Sequence, residues 1–179
     1  MSEITIALDA GHGGSDSGAV YKSRKEKDDT LRLTRAVGQI LENSGINVYY
    51  VREDDEYETP FKKATDANNA GADYFVSIHR NSSERPNQYN GVETLVYNDS
   101  GIKAVLARNI NEELEKAGFK NLGARPPSSL CTRSWRRISR RSVSLWVSPM
   151  TSPSCPCPRS SPLPSPQLLA PRSASSGVW

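Results

Sequence analysis

The sequence predicts an α/β fold, a mostly parallel sheet flanked by helices, followed by a largely disordered C-terminal tail with no domain of its own. Three observations carry this. Short β-rich apolar runs alternate with segments whose apolar residues recur at helical spacing, and the order β-α-β-α-β implies a parallel sheet with right-handed crossovers. The first run, Ile4 to Leu8, stops at Asp9 and enters a glycine loop, Gly11-His-Gly-Gly14, where a Cβ would hinder a sharp turn. Both histidines of the 179-residue chain, His12 and His79, stand just past the carboxyl end of a predicted strand.

Taken in order, Ile4, Ile6 and Leu8 mark a buried first strand. Ser15 to Ala19 continues the turn, and Lys22 to Asp29 is a charged approach to a helix in which Leu33, Val37, Ile40 and Leu41 form the apolar stripe. Asn43-Ser-Gly45 supplies its stop. Asn47 to Val51 reads as the second strand. Thr59-Pro60 is an N-cap followed by proline at the first helical position, Ala64, Ala67 and Asn68 continue that helix, and Gly71 ends it. Tyr74 to Ile78 is the third strand, and a polar loop over 81–91 is long enough to wall a cleft. Gly91 to Tyr97 alternates as a fourth strand, and Leu106, Ile110, Leu114 and Ala117 define a helix that starts near Ser100 and stops at Gly118.

The two strand-end histidines point to chemistry. Ligands of open α/β sheets bind outside the carboxyl ends of the strands, so residues far apart in sequence converge there. Two imidazoles with one carboxylate, and a fourth position left to water, is the donor set of a catalytic zinc. Glu26, at the amino end of the first predicted helix, is the best carboxylate, since helix N–H groups and dipole favour an anion there. The plain alternative is a turn histidine at His12, a half-buried His79 and a solvated Glu26 in a run of charges.

Composition divides the chain near Ala124. Past that point there is no Asp, Glu, Lys, Asn, His, Phe or Tyr, while ten of the 12 prolines and all three tryptophans fall there. Eight of the 23 Lys and Arg lie in this tail and none of the 20 Asp and Glu, which leaves 15 cationic against 20 anionic residues in 1–123. The overall +3 is thus a sum of unlike parts and gives no nucleic-acid signature. Cys131, Cys155 and Cys157 are odd in number and confined to the tail, so no disulfide framework is inferred. No run approaches a membrane span, and no basic and apolar leader precedes Ile4.

Residues 4–123 resemble the zinc-dependent N-acetylmuramoyl-L-alanine amidases of the amidase_3 type, which occur in autolysins, sporulation enzymes and phage endolysins. The matching motifs are Leu8-Asp-Ala-Gly-His-Gly-Gly14, Glu26 ahead of its helix, Val51-Arg-Glu-Asp54, Ala67-Asn68, Val76-Ser-Ile-His-Arg-Asn81 and Gly91-Val-Glu-Thr94. The resemblance implies a phosphorylase/hydrolase-like core. It implies Zn2+ held by His12, Glu26 and His79, and Asn81 as a substrate contact. The substrate would be the amide between N-acetylmuramic acid and L-alanine in peptidoglycan, cut by a monomer acting on the bacterial cell wall. Phage-type release, mother-cell action or excision from a larger protein are the expected origins.

The same resemblance implies a departure. The family continues with a further strand that ends in a catalytic glutamate, then a closing helix, and the tail offers no evident counterpart. An incomplete catalytic domain over 1–123 and a Ser/Pro/Arg-rich tail over 124–179 are therefore expected. The tail's composition is what out-of-frame translation from about Ala124 would produce, with a Ser/Pro-rich linker as the alternative. The general-base role then lacks an occupant, and Glu93 on the fourth strand is a weak candidate. A catalytically inactive zinc- and wall-binding module, and another zinc hydrolase on the same fold, stand beside the amidase reading. A nucleotide-binding loop is disfavoured because Gly11-x-Gly-Gly14 lacks the required glycine spacing.

Overall fold

The computed structural model describes residues 4–83, 90–97, 99–126 and 142–151, with 81–83 and 142–151 described as backbone. The strands are β1 (Thr5–Ala10), β2 (Val20–Tyr21), β3 (Arg24–Lys25), β4 (Asn47–Tyr50), β5 (Tyr74–Ser83), β6 (Gly91–Val96), β7 (Asn121–Arg125) and β8 (Ser142–Thr151). The helices are α1 (Glu26–Asn43), α2 (Pro60–Asn69) and α3 (Gly101–Lys116). Six strands form one sheet in the order β4-β1-β5-β8-β6-β7, and β2 with β3 makes a separate small hairpin. β4, β1, β5 and β8 are mutually parallel, and β6 is antiparallel to β8 and parallel to β7. The mostly parallel α/β sheet flanked by helices is thus the one the sequence implies.

β8 is a correction. The sequence reading placed no strand past residue 123, yet β8 inserts between β5 and β6 at the centre of the sheet. The local signal was there: Val143, Leu145 and Val147 alternate with Ser142, Ser144 and Ser148, the period of a strand, inside a composition that argues against packing. Its register to β5 slips between Arg80 and Ser82, opposite Val147 and Met150. Two β8 residues there, Ser148 and Pro149, face the single Asn81, and a bulge is where a sheet tolerates a proline that has no N–H to donate. The expectation of a disordered tail otherwise falls on residues 127–141 and 152–179, which lie outside the described residues.

The core sits in two parts. Ala7, Val51, Ala67 and Phe75 pack together with half-buried Tyr49 and Ala72, which joins α2 to β1, β4 and β5. Val96 and Ala107 pack with Leu106, Ile110 and Ala124, which joins α3 to β6 and β7. α2 begins as its sequence signals: the Thr59 side chain accepts from Lys62 N, and Pro60 opens the helix.

α1 differs from expectation. Its buried stripe is Glu26, Thr30, Thr34 and Gly38, four residues apart, while Ile40 is 65% exposed. Small residues replace large apolar ones because the helix lies close to the sheet: a Cβ at Gly38 would stand 2.1 Å from the Tyr50 hydroxyl. That close approach brings the first residue of α1, Glu26, against His79 and Arg80 in the middle of β5. No described helix is long and apolar enough to cross a membrane.

Candidate metal centre

The loop after β1 is fixed by its carbonyl oxygens. Ala10 O accepts from Arg52 Nε (3.0 Å) and Lys63 Nζ (2.9 Å), Gly11 O from Thr30 Oγ1 (2.8 Å) and Arg52 Nη2 (3.1 Å), and Gly14 O from Lys27 Nζ (2.8 Å). Gly13 and Asp16 close the turn by exchanging two backbone hydrogen bonds of 3.0 Å. His12 sits at φ 63°, in the left-handed region that non-glycine residues seldom adopt and that a surrounding structure must enforce.

Buried cations do the enforcing. Arg52, Lys63 and Lys27 are all under 9% exposed. Lys63 pairs with Asp9 at 2.7 Å, and Ser77 Oγ donates to the other Asp9 oxygen at 2.5 Å. Burial alone pushes the Asp9 carboxyl up, but the charges of Lys63 and His79 and the hydrogen bonds from Lys63 and Ser77 outweigh it and hold it below its ordinary value. Gly11 donates to Ile78 O at 2.9 Å, and a Cβ on it would lie 2.5 Å from the His79 ring. The absent side chain at Gly11 is what lets His79 reach the loop.

The structure brings the three predicted donors together. Glu26 Oε1 lies 3.1 Å from His12 Nε2 and 3.1 Å from His79 Nδ1, and one donor atom from each residue falls within 4.8 Å of the others. The Glu26 carboxylate, 2% exposed, also accepts from Arg80 N (2.8 Å, Oε1) and Ala19 N (2.9 Å, Oε2). Burial would raise its pKa, yet the hydrogen bonds and charges of both histidines hold it well below the usual carboxylate range. His12 moves the other way. Burial lowers it, and Glu26 and then Asp16 more than compensate, so it protonates more readily than a free imidazole.

A buried anionic oxygen with two imidazole nitrogens directed at it needs a positive charge among them. A proton on an imidazole supplies one, and so does a divalent ion. The donor set, two nitrogens and one carboxylate, suits zinc.

The other predicted residues fall elsewhere. Glu93 is buried on β6, where Oε2 accepts from Arg125 Nε (3.1 Å) and Nη2 (2.8 Å). It shares a register row with His79 across β8, so two strand spacings, about 9.5 Å, separate their backbones. Asn81 belongs to β5, and its side chain lies outside the described residues. Sequence reasoning gave no role to Asp16, Lys63 or Arg52, the last named only within the Val51-Arg-Glu-Asp54 motif. Asp16 had a signal, lying four residues past His12 within the glycine loop, whereas nothing local marks Lys63 as buried.

Fold and site together define an α/β domain that gathers a His, Glu, His donor set from the loop after β1, the first residue of α1 and the middle of β5. The chain belongs to the N-acetylmuramoyl-L-alanine amidase family (Amidase_3), whose model matches residues 6–152. The match therefore runs through β8 and past residue 123, where the resemblance was expected to stop. The chain is 36% identical over 129 residues to the probable cell wall amidase LytH of Staphylococcus saprophyticus, covering 70% of this chain and 42% of that protein. It is 39% identical over 100 residues to the sporulation-specific N-acetylmuramoyl-L-alanine amidase of Bacillus subtilis, covering 55% and 38%. The chain thus spans less than half the length of these curated relatives. Among solved structures, the CwlD amidase of Clostridioides difficile, in complex with the GerS lipoprotein, matches with a TM-score of 0.70 at 31% identity, covering 81% of this chain and 82% of that one. An N-acetylmuramoyl-L-alanine amidase from Clostridium difficile 630 matches with a TM-score of 0.72 at 28% identity, covering 80% and 78%.

Proposed function

We propose that this chain binds one zinc ion through His12, Glu26 and His79 and acts on the amide between N-acetylmuramic acid and L-alanine in peptidoglycan. The observation that supports this most is the single Glu26 oxygen set 3.1 Å from a nitrogen of each histidine, in a chain of amidase family. Lewis-acid polarisation of a carbonyl and activation of water are the chemistry zinc supplies when bound. The chain's own residues do the rest. Glu26 offers a carboxylate that stays ionised, Arg80 N and Ala19 N orient its two oxygens, and the cations under the glycine loop hold His12 in place. Asn81, two residues past His79 on β5, is the proposed substrate contact. Action as a monomer on the cell wall, without nucleic-acid partners, completes the reading.

The general base is the weak point of this chain. Glu93, the glutamate nearest on the sheet, is engaged by the Arg125 guanidinium through two hydrogen bonds to one oxygen, which holds it as a structural partner. We read turnover as impaired relative to an intact family member, since loss of a positioned base costs about 10²–10⁴-fold. The Glu93–Arg125 pair equally favours the second reading, a zinc- and wall-binding module without turnover.

Purified sacculi incubated with the zinc-loaded chain decide between them. Amidase action exposes new amino-terminal alanine and no new reducing ends. Slow release of amino-terminal alanine, accelerated when the tail is replaced by the reading-frame-restored sequence, is expected. Sedimentation with sacculi without any release would establish the binding module, and neither binding nor release would overturn both readings.

A further inference from the structure

We propose that Asp16 is a positioning residue for the metal site: it holds the proton of His12 on Nδ1 and so presents the Nε2 lone pair toward Glu26 and His79. The inference rests on the zinc reading above and adds to it a residue outside the His12, Glu26, His79 set.

The two nitrogens of His12 face two different carboxylates. Nε2 lies 3.1 Å from Glu26 Oε1 on the buried side, and Nδ1 lies 2.9 Å from Asp16 Oδ2 on the outer side. An ionised carboxylate only accepts, so the hydrogen bond to Asp16 requires a proton on Nδ1. A ring that keeps that proton and carries no other has its lone pair on Nε2, the nitrogen that belongs to the donor cluster. His79 turns its Nδ1 to the cluster instead, so the two rings enter with different nitrogens, edge to face at 84°.

Asp16 is itself fixed by the turn. Its other oxygen accepts from Gly18 N at 3.0 Å, and its backbone is tied twice to Gly13. Gly18 also packs on the ring: a Cβ there would lie 2.5 Å from His12 Cδ2. The imidazole is thus held on its Cγ–Cδ2 side by Gly18 and at Nδ1 by Asp16. Carboxylates that orient a ligating histidine in this manner raise its basicity and fix its tautomer. The Asp16 side chain is 48% exposed and touches no core cluster, so its removal separates positioning from folding.

Asp16→Asn is the informative change. The amide oxygen can keep the Gly18 bond while the amide nitrogen faces Nδ1 as a donor, which demands a lone pair on Nδ1 and puts the proton on Nε2. Two measurements on the full chain test this: zinc affinity by competition with a chromophoric chelator, and nitrogen-edited proton spectra of the His12 ring in the zinc-loaded protein. The wild type should show a hydrogen-bonded Nδ1 proton. Asp16→Asn should bind zinc about 10–100-fold more weakly, with the amide spectrum of the fold retained. Should Asp16→Asn not fold, Asp16→Ala is read for the same loss of affinity. Wild-type affinity in the folded variant, or a wild-type His12 that carries its proton on Nε2, overturns the proposal and leaves the zinc reading standing. A wild type that binds no zinc overturns both.

Discussion

His12 and His79 meet edge to face with ring centroids 5.1 Å apart, and Glu26 fills the angle between them. Both rings turn a nitrogen to the same Glu26 oxygen, so the arrangement is one of donors around a charge. Purified protein dialysed against zinc should retain one equivalent, and His12→Ala or His79→Ala should retain none. Because binding to the folded state stabilises by mass action, about 2.7 kcal/mol at a free ligand of 100 times Kd, addition of a chelator should lower the melting temperature of the wild type and leave both variants unmoved. Equal metal content in all three proteins would refute the donor assignment.

Gly18 tests how tightly the centre is packed. Its φ is +62°, and a Cβ would stand 2.5 Å from His12 and 2.7 Å from Glu26 Oε2. Gly18→Ala should cost about 1–2 kcal/mol from the left-handed backbone alone. It should also weaken zinc binding, because the ring or the carboxylate must shift. Urea unfolding and chelator competition read the two effects separately, and unchanged affinity would show that the ring has room to move.

The buried Lys63–Asp9 pair, at 2.7 Å, anchors α2 beneath the His12 loop. Removing one partner of a buried pair leaves the other charge uncompensated, so Lys63→Met should destabilise by about 3–5 kcal/mol, a large part of an ordinary folding margin. The pH dependence follows from the depressed Asp9 carboxyl. The unfolded chain takes up the proton first, so this stabilisation is present above an unfolded pKa of about 3.9 and is lost as pH falls through the lower folded value. Urea midpoints measured from neutral to acid pH should fall more steeply for the wild type than for Lys63→Met. Parallel curves would mean that the pair does not carry the acid sensitivity.

Arg52 bridges three segments with one planar group: it donates to Ala10 O and Gly11 O on the loop, to Lys27 O on α1 and to Asp54 O after β4. A lysine keeps the charge and loses the fork. Arg52→Lys should leave at least one buried carbonyl unsatisfied at about 1–3 kcal/mol and should speed hydrogen exchange at Gly13 and Asp16, whose mutual bonds close the turn. Exchange rates at those amides equal to wild type would show that Arg52 braces the fold without bracing the loop.

The sequence by itself determined the alternation of strands and helices, the glycine loop that presents His12, and the place of Glu26 at the start of its helix; it ended the third strand at Ile78, whereas β5 runs on through His79 to Ser83 because β8 pairs with it there. The features it determined are local properties: a strand's period of two, a helix's period near four and a glycine's backbone freedom can be read in a window of a few residues. Tertiary structure alone decided the rest. The reach of α1 depends on Gly38 meeting Tyr50, a contact between an expected helix and an expected strand that neither announces. Asp16 became a partner of His12 only once the turn closed, and Lys63 became a buried cation only because Asp9 and the loop carbonyls stood opposite it. A polar residue's burial is settled by what lies across from it, and that partner is supplied by distant chain. β8 shows the same limit at the scale of the sheet: its alternating residues were visible, but its place between β5 and β6 depends on hydrogen-bonded edges that exist only when those strands have left a gap of one strand's width.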